Sequence, residues 1–287
     1  MSPMHVASIV QGFLRILVPL SIVGTTQSVL AQGMVRIHPT AVLLEGAERT
    51  ATVTLTNTGD TSETYRFSFE PMRMTATGDL VKADPPLPEE RFADSMLRYA
   101  PRQVTLGPGK SQVVRFRLSK PAGLEAGEYR SHFYVRPVPS QGKQRSIETP
   151  APTNPNQINF HLTPRISVSI PILVRHGQLS ADVTLSDLRL DRSTSKEVPD
   201  TLVLNLNRSG NRSVWGEAIA SYTPTGGKEQ VVGKTLLTLM APTPQLIVKI
   251  PLEFEGGKPP KGSLRVVFQE AKRKGVQSPV DATLPIP

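Results

Sequence analysis

One stretch limits the fold of this chain more than any other. From Ile158 every second residue is apolar or proline: Ile158, Phe160, Leu162, Pro164, Ile166, Val168, Ile170, Ile172 and Val174. The positions between them are mostly polar: Asn159, His161, Thr163, Arg165, Ser167 and Ser169. A period of two is that of an extended strand with one buried face; a helix would scatter such a row around its axis. A strand of ~17 residues spans ~56 Å at ~3.3 Å per residue, far beyond the usual five or six residues. One small sandwich cannot cover it. Pro164 has no N–H to give to a ladder, so it suits a sheet edge or a break between two halves of the strand.

The same period recurs along the chain. Ala51, Val53 and Leu55 alternate with threonines before the turn Asn57-Thr58-Gly59-Asp60, and Tyr65, Phe67 and Phe69 alternate with Arg66 and Ser68. Val114, Phe116 and Leu118 alternate with arginines, after a segment 107–111 that reads as a hairpin turn. Residues 138–156 carry Pro139, Pro150, Pro152 and Pro155 with little apolar content, a long connection of the kind that is functional or disordered. Beyond His176-Gly177 a second set begins with Val183, Leu185, Leu188 and Leu190, followed by Leu202, Leu204 and Leu206. Residues 207–211 read as a turn, Trp215 opens a strand to Tyr222, and further strands fall at 231–240, 245–252, 264–269 and 280–286. Only 89–100 offers a short helix. The expectation is an all-β fold of two Ig-like β-sandwich domains, 32–175 and 176–287, with a cleft between them.

Residues 1–31 stand apart. Their one charged residue, Arg15, precedes the apolar run Ile16-Leu17-Val18-Pro19-Leu20-Ser21-Ile22-Val23, and they end in Val29-Leu30-Ala31. That is the pattern of a secretory signal peptide cleaved after Ala31. The run falls short of the ~18 apolar residues of a spanning helix, so no stable membrane insertion is expected. An exported chain with no cysteine points to a bacterial envelope, and the lack of thiols excludes disulfides, zinc–thiolate sites and thiol nucleophiles. The net charge of +9 loses only Arg15 on cleavage, so a neutral or acidic partner is expected.

Catalytic patterns fail on inspection. His5, His38, His132, His161 and His176 show no metal-ligand spacing and read as satisfied or solvent-facing side chains. Gly107-Pro108-Gly109-Lys110-Ser111 lacks the first glycine of a phosphate loop, since Val104 stands there. No Gly-x-Ser-x-Gly elbow occurs. The basic residues are scattered rather than interleaved with aromatics, which make up only 5%, so nucleic acid is not expected as a partner. The chain reads as non-enzymatic, with no metal and no cofactor.

Several segments resemble the PapD-like periplasmic chaperones of pilus and fimbrial assembly. Pro101-Arg102-Gln103-Val104-Thr105-Leu106-Gly107-Pro108-Gly109, followed by Gln112-Val113-Val114-Arg115, is similar to that family's proline, leucine, Pro-Gly and Gln-x-x-Arg segment. Leu124-Glu125-Ala126-Gly127-Glu128-Tyr129-Arg130-Ser131-His132-Phe133-Tyr134-Val135 resembles its next strand, entered through a turn like an Ig tyrosine corner. The connection 138–156 and the long strand fall where the family has its loop and subunit-binding strand. The resemblance implies a periplasmic protein that lends this strand to a pilus subunit lacking its own last strand. An outer-membrane usher then exchanges it for another subunit. Ile158, Phe160 and Leu162 would fill the client, while the half from Ile166 through Val168 to Val174 would serve the chaperone's own core.

The resemblance also implies an anchor for the client's terminal carboxylate, an arginine on the first strand and a lysine on the long one. Thr40 or Ala41 and Ser167 stand at those places here. Arg165 and Arg36 are the neighbouring cations that could substitute; each could equally belong to a solvated strand face. The rival reading is a non-catalytic structural or adhesive envelope protein of two sandwiches. It would share the strands and the signal but would not need the overlong strand.

Overall fold

The computed structural model describes residues 35–139, 166–195, 197–254, 261–271 and 279–287. Threonine and valine, which favour the pleated conformation, dominate its early strands. One sheet orders β1 (Val35–His38), β3 (Thr50–Asn57), β9 (Ser111–Leu118) and β7 (Leu97–Ala100). The facing sheet orders β2 (Val42–Leu44), β11 (Val168–His176), β10 (Gly127–Pro137), β4 (Glu63–Glu70) and β8 (Gln103–Leu106). Between them Phe67, Phe69, Tyr99, Phe116 and Phe133 form one aromatic cluster, with Phe116 and Phe133 edge to face at 4.9 Å. Each such pair adds about 0.5–1.5 kcal/mol beyond area burial. Tyr99 satisfies its hydroxyl by donating to the Phe67 carbonyl at 2.8 Å. Tyr129 donates to the Glu125 carbonyl at 3.0 Å, which is the corner expected at the entry to β10.

The second sandwich sets β12 (Ala181–Asp191), β13 (Asp200–Gly210) and β16 (Gln245–Leu252) against β15 (Gln230–Leu239), β14 (Val214–Pro224), β17 (Gly262–Glu270) and β18 (Val280–Ile286). Leu202, Leu204 and Leu206 on β13 meet Ala218, Ala220 and Tyr222 on β14 in its core. The fold is all-β, as two sandwiches. Gly177 makes the turn between them at φ +71°, where an added Cβ would lie 2.5 Å from the Ala126 Cβ. Any side chain there meets both backbone strain and a clash.

A hairpin of β5 (Met72–Met74) and β6 (Leu80–Lys82) leaves the first sandwich and lies on the second. Met74 is part of the second core, and Thr243 donates its hydroxyl to the Met74 carbonyl at 2.9 Å. The Ile247 amide at the start of β16 donates to the Ala76 carbonyl at 2.8 Å. The two sandwiches belong to one unit, Gln32–Pro287.

Four sequence expectations are corrected. Residues 89–100 form only a 3-10 turn, Asp94–Met96, that leads directly into β7. Residues 107–111 do not close a hairpin: they carry the chain from β8 in one sheet to β9 in the other, with Gly109 at φ +67°. Residues 207–210 continue β13 rather than turn, because Arg208 is buried with its guanidinium spread over the carbonyls of Gly210, Arg212, Pro242 and Thr243. His132 is neither satisfied nor solvent-facing, since it is 1% exposed and neither ring nitrogen finds a partner.

Candidate functional site

Strand β11 pairs antiparallel with β10 along its described length, from Val168 opposite Val135 to His176 opposite Gly127. On its other side β2 runs parallel and covers only Ile172, Leu173 and Val174. Among the described residues, Val168, Ser169, Ile170 and Pro171 therefore have one open edge. Their backbone groups that point away from β10 face a place where another strand can pair, although Pro171 can offer only its carbonyl. The inward row of the strand is well seated: Ile170, Ile172 and Val174 are buried and Val168 packs on the core. Ile166 departs from the expected core role. It precedes the strand and is 61% exposed.

The outward row of β11 is also covered, because the second sandwich lies over it. Arg175 donates to Glu128 at 3.0 Å, and Glu128 accepts from the Ser213 hydroxyl and from the Ser213 amide at 3.2 Å. The Arg175 guanidinium lies 5.0 Å from the centroid of the Trp215 ring. Next in the row of β10, Arg130 donates to the Met72 carbonyl at 3.0 Å and to the Ala241 carbonyl at 2.8 Å. Arg212 and Glu270 form a second buried pair on the far side of the junction. Glu128 and Arg175 each have several partners, the condition under which buried charges are tolerated, whereas among the described residues the buried Arg130 Nε finds none. The bonds of Glu128 and Arg175 to Ser213 and of Arg130 to Ala241 fix the second sandwich against the base of β11, while Arg212 and Glu270 pair within that sandwich.

Beside this junction lies a cleft with a cavity of about 530 Å³. Leu43, Pro171 and Leu173 line it from the first sandwich, and Trp215, Leu236 and Met240 from the second. Thr40 and Ala41 line it too, and among the described residues none of the lining side chains is ionisable. Leu236 is 81% exposed at its rim. The cleft can hold apolar groups and offers hydroxyls, and its described lining carries no fixed charge.

The residues singled out in the sequence are not all gathered here. Ile158, Phe160, Leu162 and Arg165 lie outside the described residues, as do residues 1–34. Val168 sits on the open edge of β11. Arg36 stands exposed on β1 opposite Thr56, in the other sheet of the first sandwich, and is not among the residues lining the cleft. The Glu128–Arg175–Ser213 junction gives no local sequence signal, because its members are 47 and 85 positions apart.

The Fn3-like domain family matches residues 44–148. No curated protein matches the sequence. In structure the chain is similar to a chaperone from the chaperone–tip adhesin complex of CFA/I fimbriae, at 12% identity and a TM-score of 0.46 over 88% of this chain and 98% of that one. It is similar to the E. coli chaperone DraB, at 13% identity and a TM-score of 0.42 over 87% and 96% of the two chains. It is similar also to the Pseudomonas aeruginosa CupB2 chaperone, at 15% identity and a TM-score of 0.40 over 88% and 100%.

Proposed function

We propose that the chain is a periplasmic chaperone that binds and stabilises pilus or fimbrial subunits by donor-strand complementation and passes them to an outer-membrane usher. In this reading residues 1–31 are removed after Ala31, and 32–175 and 176–287 are its two domains. The observation that carries the reading is the open edge of β11 at residues 168–171, continuous in sequence with the alternating segment 158–166. An incomplete client sheet would pair with that edge, and Ile158, Phe160 and Leu162 would fill its groove. At ~1.5–3 kcal/mol per large buried side chain these three supply a gross ~5–9 kcal/mol before ordering costs. The ion pairs at the junction would hold the cleft rigid while the strand is occupied. Arg165 and Arg36 are the cations this reading offers to a client carboxylate, since the described lining of the cleft carries none.

The experiment is to express pilus subunits in a bacterial periplasm with and without this chain. A subunit that accumulates as a one-to-one complex only in its presence supports the reading. Subunit levels unchanged by the chain, for every subunit tried, would contradict it.

A further inference from the structure

The outer face of the sheet β1-β3-β9-β7 carries charge of one sign. Alternation turns Ile37, Val53, Leu55, Val114, Phe116 and Leu118 to the core, and leaves Arg36, Arg98, Arg115 and Arg117 on the opposite side. Arg98 and Arg117 are direct cross-strand partners, an arrangement that repels. Arg115 and Arg117 flank the threonines of β3, with Thr52 opposite Arg115 and Thr50 opposite Arg117. These side chains border an open depression of about 520 Å³. The outward positions of the four strands include no aspartate or glutamate.

Several other exposed arginines of the same chain are paired with carboxylates, whereas Arg49 and Arg66 bond neutral oxygens and Arg102 lies over the Tyr99 ring. Arg136 pairs with Glu70, Arg265 with Asp281, Arg189 with Asp191 and Arg91 with Glu125. Among the described residues, no ion pair involves Arg36, Arg98, Arg115 or Arg117. The Arg98 guanidinium donates only to the carbonyls of Ser95 and Leu97. A face that sets Arg98 directly opposite Arg117, with no carboxylate among its outward residues, retains a repulsion that an anionic partner would relieve.

The chemistry of the face selects among anions. Tyr99 and Phe116 line the depression but are buried, at 8% and 1% exposure, so the face lacks the open stacking platform that single-stranded nucleic acid uses. Its one large exposed apolar side chain is Val113, at 39%, too little for the apolar centre of a stable protein interface. Guanidinium groups and threonine hydroxyls on a sheet present many donors to phosphate oxygens, and an anionic leaflet attracts such cations without demanding an apolar anchor. We propose that the Arg36–Arg98–Arg115–Arg117 face is a docking surface for anionic phospholipid headgroups, which holds the protein reversibly on a membrane. This does not rest on the chaperone reading.

The test is co-sedimentation of the full mature chain with vesicles of phosphatidylcholine containing 30% phosphatidylglycerol, taken at about a third anionic lipid for a strong surface potential. Binding is expected at low salt, lost in pure phosphatidylcholine and weakened at least tenfold at half-molar salt. The triple variant Arg98→Gln, Arg115→Gln and Arg117→Gln should bind at least tenfold more weakly with unchanged thermal stability. The paired-site variant Arg189→Gln and Arg265→Gln should bind as the parent does. If the triple variant misfolds, the single change Arg115→Glu is to give the same weakening. Parent protein that stays in solution, or a folded triple variant that binds as well as the parent, overturns the proposal. Displacement of the parent from vesicles by polyglutamate at matched charge would assign the face to acidic proteins and overturn it as well.

Discussion

Glu128 on β10 and Arg175 on β11 face each other across the sheet and meet at 3.0 Å, both buried where the second sandwich closes over the first. A strand that begins with an open edge therefore ends in a locked one. Arg175 is the last residue but one of β11, and through it the ladder is tied to Ser213 and Trp215 of the second sandwich.

Breaking that pair from one side should be costly. Arg175→Met leaves Glu128 buried beside only the Ser213 donors, and removal of one member of a buried ion pair costs about 3–5 kcal/mol. Urea denaturation measures it. The double variant Glu128→Gln and Arg175→Met should lose less than the sum of the single changes, because no unpaired charge remains. Strict additivity would show that the two charges do not act on each other.

His132 predicts a pH dependence. Burial, with the Arg130 guanidinium beside it, lowers its pKa from 6.5 to about 4. Its cross-strand neighbours are Pro171 and Glu70, and the Glu70 carboxylate is taken by Arg136. The unfolded chain takes up this proton near pH 6.5 and the folded chain only near 4. Its contribution is thus fully present above pH 6.5 and is lost as pH falls toward 4, by about 3 kcal/mol in all. His132→Leu removes the difference. The gap in unfolding free energy between parent and variant should shift by about 2 kcal/mol between pH 7 and 4.5, the rest being lost below pH 4.5, and a constant gap would contradict the assignment.

Met74 tests the docking of the hairpin. Its side chain belongs to the core of the second sandwich, although the hairpin that carries it is inserted between β4 and β7 of the first. Met74→Ala should cost about 2–5 kcal/mol. It should also speed hydrogen exchange at the Ile247 amide, which donates to the Ala76 carbonyl of the same hairpin. Unchanged exchange at Ile247 would mean that the hairpin is held without Met74.

The regular strands were legible because their cores are made by alternation: β4, β9, β13 and β16 carry the apolar rows that the sequence displays. The hairpin β5–β6 was not, because the three residues Met72-Arg73-Met74 are too few to display a period, and Met74 is buried beside residues that lie up to 166 positions further on. The end of β13 misled for a different reason. Asn207-Arg208-Ser209-Gly210 has turn composition, yet a buried guanidinium that collects carbonyls from the 242–243 loop holds it extended. Of the candidate site, the row through Val168 was visible, since it needs only a period of two. The open edge was not, because it depends on β2 ending its pairing at Ile172, a tertiary fact about a three-residue strand. His132 reads like any histidine until Arg130 and the second sandwich close over its strand.

The most direct measurement concerns Phe160. It lies outside the described residues, in the alternating segment ahead of β11, and the account gives it to the client rather than to the protein's own core. Phe160→Asp would place an unpaired charge in the client's groove, at a cost above the lost burial. Co-purification of the variant with a pilus subunit from the periplasm, beside a melting curve of the variant alone, reads both halves of the claim. The account predicts an unchanged melting temperature, loss of the complex and degradation of the subunit. A variant that folds normally and still yields the complex at the parent's level would contradict it.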